Sequence, residues 1–581
     1  MKTRILAAVL AGAMLFGLVA CSSSATEEST ASSTSSSADS SEEEVEESIY
    51  PDYLNMESDT PMVVDGEQIT LKIMLNVGTY TTKSDIWFWE YLEQEHNIII
   101  ELEEVLDVNA AEQKNLAFSA GTDVDIFMKM SFSTTELVNY GVGEGQILDM
   151  NEYISEELTP NLLALMDTTD GLEAALTATD GGIYSTGAVS GKTYSDGAQT
   201  GSISDFRYND AWLQELGMDI PETVDEFLDV LRGYATLGDD IIPFGGSWEW
   251  DNGMQVFATA VGVVTRQGVN SFINPTYYND EASFIYGNQD VYQQILEWYN
   301  TMYEEGLISQ DFFTLDTSAT QALGKTGVFG VLSNTTSEYL GENFTDYLTL
   351  EPLVSDLNDT QIWGDSTGYI TIGSFVINAE TEYPELCVRF MDFFYDAENA
   401  VLAQFGPNAI SQSDILYDMT QGWTIDEDHV YGYLDVADGT FTGTNNDYKL
   451  GYISAAAQFV GYFPSSLEIQ SNVQGTFEYE EIALDLTTTN GVRRQGNWDN
   501  LVPYVVDPYP TITYFSEEES EIIADNGTVI NTFATVEFAK FVTGEREITD
   551  EEMALYFEEL DALGYQEYLA VYVAYDEEYF Q

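Results

Sequence analysis

Hydrophobic and polar positions alternate from Ile69 onward. Ile69, Leu71, Ile73 and Leu75 interleave with Thr70, Lys72 and Met74, and Ile98, Ile100 and Leu102 repeat the pattern. A period of two marks half-buried strands. Between the runs, Ser84 is placed to cap a helix whose apolar stripe is Trp87, Phe88, Tyr91 and Leu92, at the spacing a helix face requires. A second helical stretch, Ala110 to Ala120, stops at Gly121 and leads into an apolar run at 124–128. This β-α-β-α-β series predicts the opening of a parallel α/β sheet. In such sheets ligands bind beyond the carboxyl ends of the strands, where strand order reverses. An order 2-1-3 would place a site past strands one and three, at Val77-Gly78-Thr79-Tyr80 and Lys129-Met130-Ser131.

Further along, Thr223 and Glu226 form a capping box for a helix with Val224, Phe227, Leu228, Leu231 and Tyr234 on one face. Val291, Ile295, Trp298, Tyr299 and Met302 make another such face. So do Leu386, Phe390, Phe393 and Phe394 after Pro384, and Met553, Tyr556, Phe557 and Leu560 after Thr549. Core packing is the role of such stripes. Trp87, Trp89, Trp212 and Trp298, all on helices, are assigned to the core with them.

The amino terminus has a different pattern. Lys2 and Arg4 precede an uncharged apolar run that ends in Leu18-Val19-Ala20-Cys21. Basic start, short apolar segment and small residues at the cut define a secretory signal over residues 1–20, and Leu-Val-Ala-Cys resembles the bacterial site where a cysteine is diacylated. The run is too short for a comfortable membrane span. Residues 21–65 are assigned to a lipid-anchored tether, because up to about residue 60 they are mostly Ser, Thr, Ala and Glu, with little to bury. A flexible chain of about 40 residues spans on the order of 35 Å.

Composition narrows the function classes. The chain holds 17 Lys and Arg against 101 Asp and Glu, a net charge of −84, so neither nucleic acid nor an anionic membrane surface will attract it. Only Cys21 and Cys387 are present. Lipidation would consume the first, and the second lies among apolar neighbours as a buried small hydrophobe. The two histidines, His96 and His429, stand in acidic, exposed-looking contexts. Histidine-based catalysis and histidine-rich metal sites are thus poorly supported, and no cofactor is expected.

Several segments, in order, resemble the family 1 extracellular solute-binding proteins, the lipoprotein receptors of ABC importers, and in particular their large branch for complex carbohydrates. They are Ser119-Ala-Gly-Thr-Asp-Val-Asp125; Asp180-Gly-Gly-Ile-Tyr184; Tyr208-Asn209 with Trp212-Leu-Gln-Glu-Leu-Gly217 and Pro221-Glu-Thr-Val-Asp-Glu226; Tyr303-Glu-Glu-Gly-Leu-Ile308; Gly324-Lys-Thr-Gly327; Tyr383-Pro-Glu385; and Val542-Thr-Gly-Glu545. The resemblance covers most of residues 66 to 580. It implies an α/β chain with a two-lobed, periplasmic-binding-protein-like type II fold, the lobes joined by hinge crossings near residues 205, 374 and 440. Lobe 1 would comprise 66–205 and 375–440, and lobe 2 would comprise 206–374 and 441–581. Two departures from the family pattern matter. Asn209-Asp210-Ala211-Trp212 stands where many members carry Arg-x-Asp-Trp, removing a cation. Gly238-Asp-Asp-Ile-Ile-Pro243 is too short for the calcium loop many members carry, so no metal site of that kind is expected. A neutral ligand follows from the shortage of cations.

Sugars present flat C–H faces to aromatic rings and hydroxyls to polar side chains. The leading candidate is Gly245-Gly-Ser-Trp248-Glu-Trp250-Asp251, two tryptophans and a carboxylate in a glycine-containing loop. Trp363 with Asp365 is a second cluster and Asn497-Trp498-Asp499 a third. Tyr80 and Asp125 at the strand tips, with Asn209, complete the ligand-binding set. Each has a plainer reading: Trp248, Trp250, Trp363 and Trp498 as core rings, and Asp125 as the cap of a turn.

The expectation is a non-catalytic, monomeric binding protein of an ABC importer. It would be anchored through Cys21 at the extracellular face of the membrane, on an open Gram-positive surface rather than in a periplasm. It would close two lobes on a neutral sugar or oligosaccharide and deliver it to permease subunits. A secreted glycoside hydrolase, or a surface glycan-capture protein without a permease, are the alternatives. With so many acidic residues, carboxylate pairs arise by chance and do not argue for the hydrolase.

Overall fold

Isoleucine and leucine at alternate positions build the first strand, and its neighbours follow from the helices between them. The computed structural model describes residues 50–58, 60–78, 83–84, 86–169, 171–190, 205–249, 252–266, 272–333, 340–364, 369–407, 423–425, 431–433, 442, 448–454, 460–462 and 489–579. The chain runs β1 (Ile69–Gly78), α1 (Trp87–His96), β2 (Ile98–Leu106), α2 (Ala110–Ala120) and β3 (Ile126–Met128). β1 pairs in parallel with β2 on one side and β3 on the other, so the order is 2-1-3. Ile73, Leu75, Ile126 and Met128 enter one apolar cluster, and Met74 and Phe127 enter another on the opposite face. Coverage of both faces is what a parallel sheet requires.

A short strand, β4 (Val189–Ser190), ends this part, and a second sheet follows. Its elements are β5 (Phe206–Asn209), α3 (Asp210–Leu216), α4 (Val224–Ala235), β6 (Ile242–Phe244), α5 (Tyr292–Glu304), β7 (Phe329–Ser333) and β8 (Tyr347–Thr349), with β9 (Trp363–Gly364) beyond them. The sheet order is β8-β5-β7-β6, with β7 parallel to β6 and antiparallel to β5. The capping box read from Thr223 and Glu226 is present, and Val224, Phe227, Leu228, Leu231 and Tyr234 are buried. Val291, Ile295, Trp298, Tyr299 and Met302 join the same core.

The chain then returns to the first sheet. β10 (Tyr369–Ile370) pairs with β4, and β11 (Phe375–Ile377) adds antiparallel to β3. α6 (Pro384–Phe393) and α7 (Ala397–Phe405) bury Leu386, Phe390, Phe393 and Val401 against the first sheet's cluster. Finally α8 (Thr489–Asn500), β12 (Val505–Val506), α9 (Glu517–Val542), α10 (Asp550–Ala562) and α11 (Tyr565–Tyr579) pack largely on the second core. β12 pairs with β9.

Four expectations change. Tyr448, Ile453 and Val460, assigned to lobe 2 by an expected crossing near 440, pack with the first sheet's cluster. Residues 50–65 are not tether: Leu54, Met62 and Val63 are buried, and Arg389 donates to the carbonyls of Asn55 and Ser58. Ser84 does not cap α1, because its hydroxyl donates to Glu104 Oε1 at 3.2 Å. His96 is buried, not exposed, with its ring edge-on to Tyr91 and Phe393. Cys387 is buried as expected. Among the described residues no helix is long and apolar enough to cross a membrane. Cys21 and His429 lie outside the described residues.

Candidate functional site

The order 2-1-3 sets the reversal of strand order at the carboxyl ends of β1 and β3, and the backbone there is unusual. Gly78 has φ +67°, and Lys129 and Ser131 have φ +56° and +55°, a region non-glycine residues adopt sparingly and mostly where surrounding structure enforces it. The Lys129 N–H donates to Ser374 O at 2.6 Å and the Phe132 N–H to Gly373 O at 2.9 Å, so β11's approach holds the turn. Gly373, with φ +74°, has no room for a side chain, because a Cβ would run into Phe132 O. Lys114 donates to Ser131 O at 3.0 Å, pairs with Glu136 at 2.8 Å and lies over the Phe132 ring.

This rim gathers cations in a chain that has few. A Cβ on Gly78 would lie 3.3 Å from Lys129 Nζ and 3.8 Å from Asp107 Oδ2. Burial pushes the Lys129 ammonium below its ordinary range, and Asp107 opposes the shift. Lys83 is driven further, to about 8, by burial and then by the nearby positive charge of Lys129, and its ammonium donates to Ser454 O at 2.5 Å. On the β2 side of the rim opens a cavity of about 490 Å³, lined by Val77, Glu103, Glu104, Val105, Leu106, Asn109 and Gln113. Its two carboxylates and two amides offer acceptors and donors that match hydroxyl groups.

The second sheet has a corresponding rim. The carboxyl ends of β6 and β7 lead to Gly245, whose N–H donates to Val331 O at 2.7 Å and where a side chain would collide with Phe329. Since β5 is antiparallel, its amino end lies at this same edge, with Phe206 opposite Ser333. Asp205 sits there, fully buried, and its Oδ2 accepts from Arg207 Nε at 2.8 Å and from Arg493 Nε at 3.2 Å. The Phe344 ring covers the Arg207 guanidinium, 4.7 Å away.

The expected site residues divide. Asp125 stands at the amino end of β3, not at its ligand-side tip. Its carboxylate accepts from the Lys72 N–H at 2.8 Å and the Thr381 hydroxyl at 2.6 Å, so it ties β1 to the segment after β11 and caps no turn of its own. Asn209 is the cap of α3, its Oδ1 accepting from the Trp212 N–H at 3.0 Å. Trp363 is 2% exposed and belongs to the second core through β9. Trp248 follows the rim glycines, but its ring turns inward, 4.7 Å from Phe538, 5.3 Å from Phe272 and 5.7 Å from Phe313. Trp498 is partly exposed on α8, the helix that carries Arg493. Tyr80, Trp250, Asp251 and Asp365 lie outside the described residues. The sequence reading passed over Lys83, Lys129, Arg207 and Arg493. The available signal was scarcity, since in so acidic a chain each cation set in an apolar frame, such as Arg207 between Phe206 and Tyr208, is informative. Among the described residues no group of three or more His, Cys, Asp and Glu could hold a metal ion.

Two α/β units, each with a ligand-side rim, and a chain that passes repeatedly between them define the two-lobed solute-binding protein fold. The comparisons agree. A solute-binding protein of Bifidobacterium longum infantis, described as binding HMO and associated with an ABC transporter, superposes with a TM-score of 0.66 at 19% identity, covering 88% of this chain and 99% of that one. The fructooligosaccharide ABC transporter substrate-binding protein FusA of Streptococcus pneumoniae is 24% identical over 81% of this chain and 82% of its own length. Its structure in complex with kestose superposes with a TM-score of 0.60 at 21% identity, covering 88% of this chain and 99% of that one. Lipoprotein LipO of Bacillus subtilis is 26% identical over 34% of this chain, a match that spans 41% of LipO. No protein-family model matches the chain. The chain is thus similar to a substrate-binding protein of an ABC transporter and to a lipoprotein.

Proposed function

We propose that this chain is the lipid-anchored receptor of an ABC importer, capturing a neutral sugar or oligosaccharide by closure of two lobes and passing it to membrane permease subunits without chemical change. The observation that carries the reading is the switch-point rim on a two-lobed fold, in a chain related over most of its length to a substrate-binding protein for fructooligosaccharides. Closure follows from ligand contacts made by both rims, which favour the closed state over the open one. Leu18-Val19-Ala20-Cys21 and the relationship to LipO support attachment through Cys21. The acidic Ser/Glu-rich tether suits the outer face of a Gram-positive membrane. Residues 66–190 and 369–462, with the strap from Tyr50, would form lobe 1, and 205–364 with 489–579 lobe 2.

A thermal-shift screen of the chain from residue 22 against neutral and acidic oligosaccharides tests the proposal. Stabilisation by a neutral saccharide, with no release of reducing ends, is expected. Release of reducing ends would replace the receptor by a hydrolase.

A further inference from the structure

Burying a guanidinium is costly unless its N–H groups are matched, and Arg207 is matched only in part. It is 1% exposed and spends only Nε on Asp205. Both remaining nitrogens, Nη1 and Nη2, are buried without a hydrogen-bond partner, and so is Asp205 Oδ1. Buried polar groups are nearly always satisfied, so an exception calls for an explanation, and a ligand that supplies the missing bonds is one. The three orphaned atoms belong to two directly bonded residues, at the edge of the second sheet where its parallel strands end. The cluster opens outward through Arg493, whose side chain is 14% exposed and which shares Asp205 Oδ2 with Arg207.

The kinds of atoms left over specify the occupant. Two donors and one acceptor side by side do not match a carboxylate, which only accepts and would face the unpaired Asp205 oxygen. They match adjacent hydroxyls, whose oxygens accept from a guanidinium fork while one O–H donates to the carboxylate. We propose that Asp205, Arg207 and Arg493 form a second-lobe subsite that binds a vicinal diol of a saccharide. This rests on the receptor reading above and names the residues by which lobe 2 would grip the ligand. Both orphaned groups are already desolvated, so a ligand reaching them gains bonds that water does not have to give up. Asp205 also holds the Arg207 fork in place before the ligand arrives.

The test uses the full-length mature protein and whichever saccharide from a panel of neutral oligosaccharides, kestose included, and uronate oligosaccharides gives the largest thermal shift. Its dissociation constant is then measured by calorimetry. Arg207→Lys, which keeps the charge but loses the fork, should weaken a neutral saccharide by about 10- to 100-fold. Arg493→Gln should weaken it less, and Arg232→Gln, an exposed pair partner of Glu305 elsewhere on lobe 2, should leave it unchanged. Asp205→Asn should weaken a hydroxyl ligand but strengthen a carboxylate. Unchanged affinity in folded Arg207→Lys overturns the subsite and leaves the receptor reading standing. If Arg207→Lys does not fold, unchanged affinity in Arg493→Gln overturns it. A uronate that binds most tightly, and tighter still in Asp205→Asn, overturns the diol chemistry. Absence of any saccharide shift in the wild type removes the receptor reading and the subsite together.

Discussion

Replacing Trp248 by alanine separates a stacking platform from a core ring. The indole lies 4.7 Å from Phe538 at an interplanar angle of 31°, with Phe272 and Phe313 completing its surround, and its backbone N–H donates to Phe312 O at 2.8 Å. A fully buried tryptophan replaced by alanine costs about 3–5 kcal/mol. Trp248 keeps part of its surface in solvent but loses near-stacked and edge-on partners, so about 3 kcal/mol is expected. For a unit of this size that lowers the melting temperature by about 6–12 °C. The assay is differential scanning fluorimetry with urea unfolding, followed by calorimetric titration of a saccharide ligand at a temperature where the variant is folded. Affinity should hold within about threefold, less than 1 kcal/mol. A melting temperature within about 1 °C of wild type, together with lost binding, would refute the inward placement and return Trp248 to the ligand.

Asp125→Ala should cost about 1–2 kcal/mol, since it strips acceptors from the Lys72 N–H and the Thr381 hydroxyl, and ligand affinity should not move. Gly373→Ala, which drives a Cβ into Phe132 O from a positive φ, should prevent stable folding. Gly306→Ala, with a positive φ but open space, should cost only about 1 kcal/mol in a melt. Burial, and then the positive charge of Arg389, lowers the His96 imidazole to about 4. From pH about 6.5 down to about 4 the unfolded chain therefore takes up a proton that the folded chain refuses, and stability falls as pH falls. Urea midpoints should show His96→Gln lacking about 3 kcal/mol of the wild-type loss across that window. Metabolic labelling with a clickable fatty acid should mark the wild type and vanish in Cys21→Ser.

Much of the fold could be read from periodicity. Ile73 and Leu75 had to face one way and Met74 the other, and alternating strands and helices announced a parallel sheet, but its order, which places the rim past β1 and β3, comes from the strand pairing. The side chains at that rim could not be read in the same way. A tryptophan after Gly245-Gly246 looks identical in sequence whether its ring meets Phe538 or a sugar, because Phe538 arrives from a helix nearly 300 residues later. Asp125 was placed at the wrong end of β3 because an apolar run shows where a strand lies but not where its ladder begins. His96 looked exposed beside Glu93 and Glu95, yet Phe393 and Arg389 of a distant helix cover it. Charge counting, used to argue for a neutral ligand, missed where the few cations go: several are buried, at the two rims.

The receptor account meets its most direct test in one titration. The chain from residue 22, mixed with each saccharide of a neutral and acidic panel, should be stabilised by at least one neutral oligosaccharide. At roughly 100 times Kd the gain is about 2.7 kcal/mol, and the saccharide should be recovered unchanged. No stabilisation by any saccharide, or recovery of cleaved sugar, would contradict it.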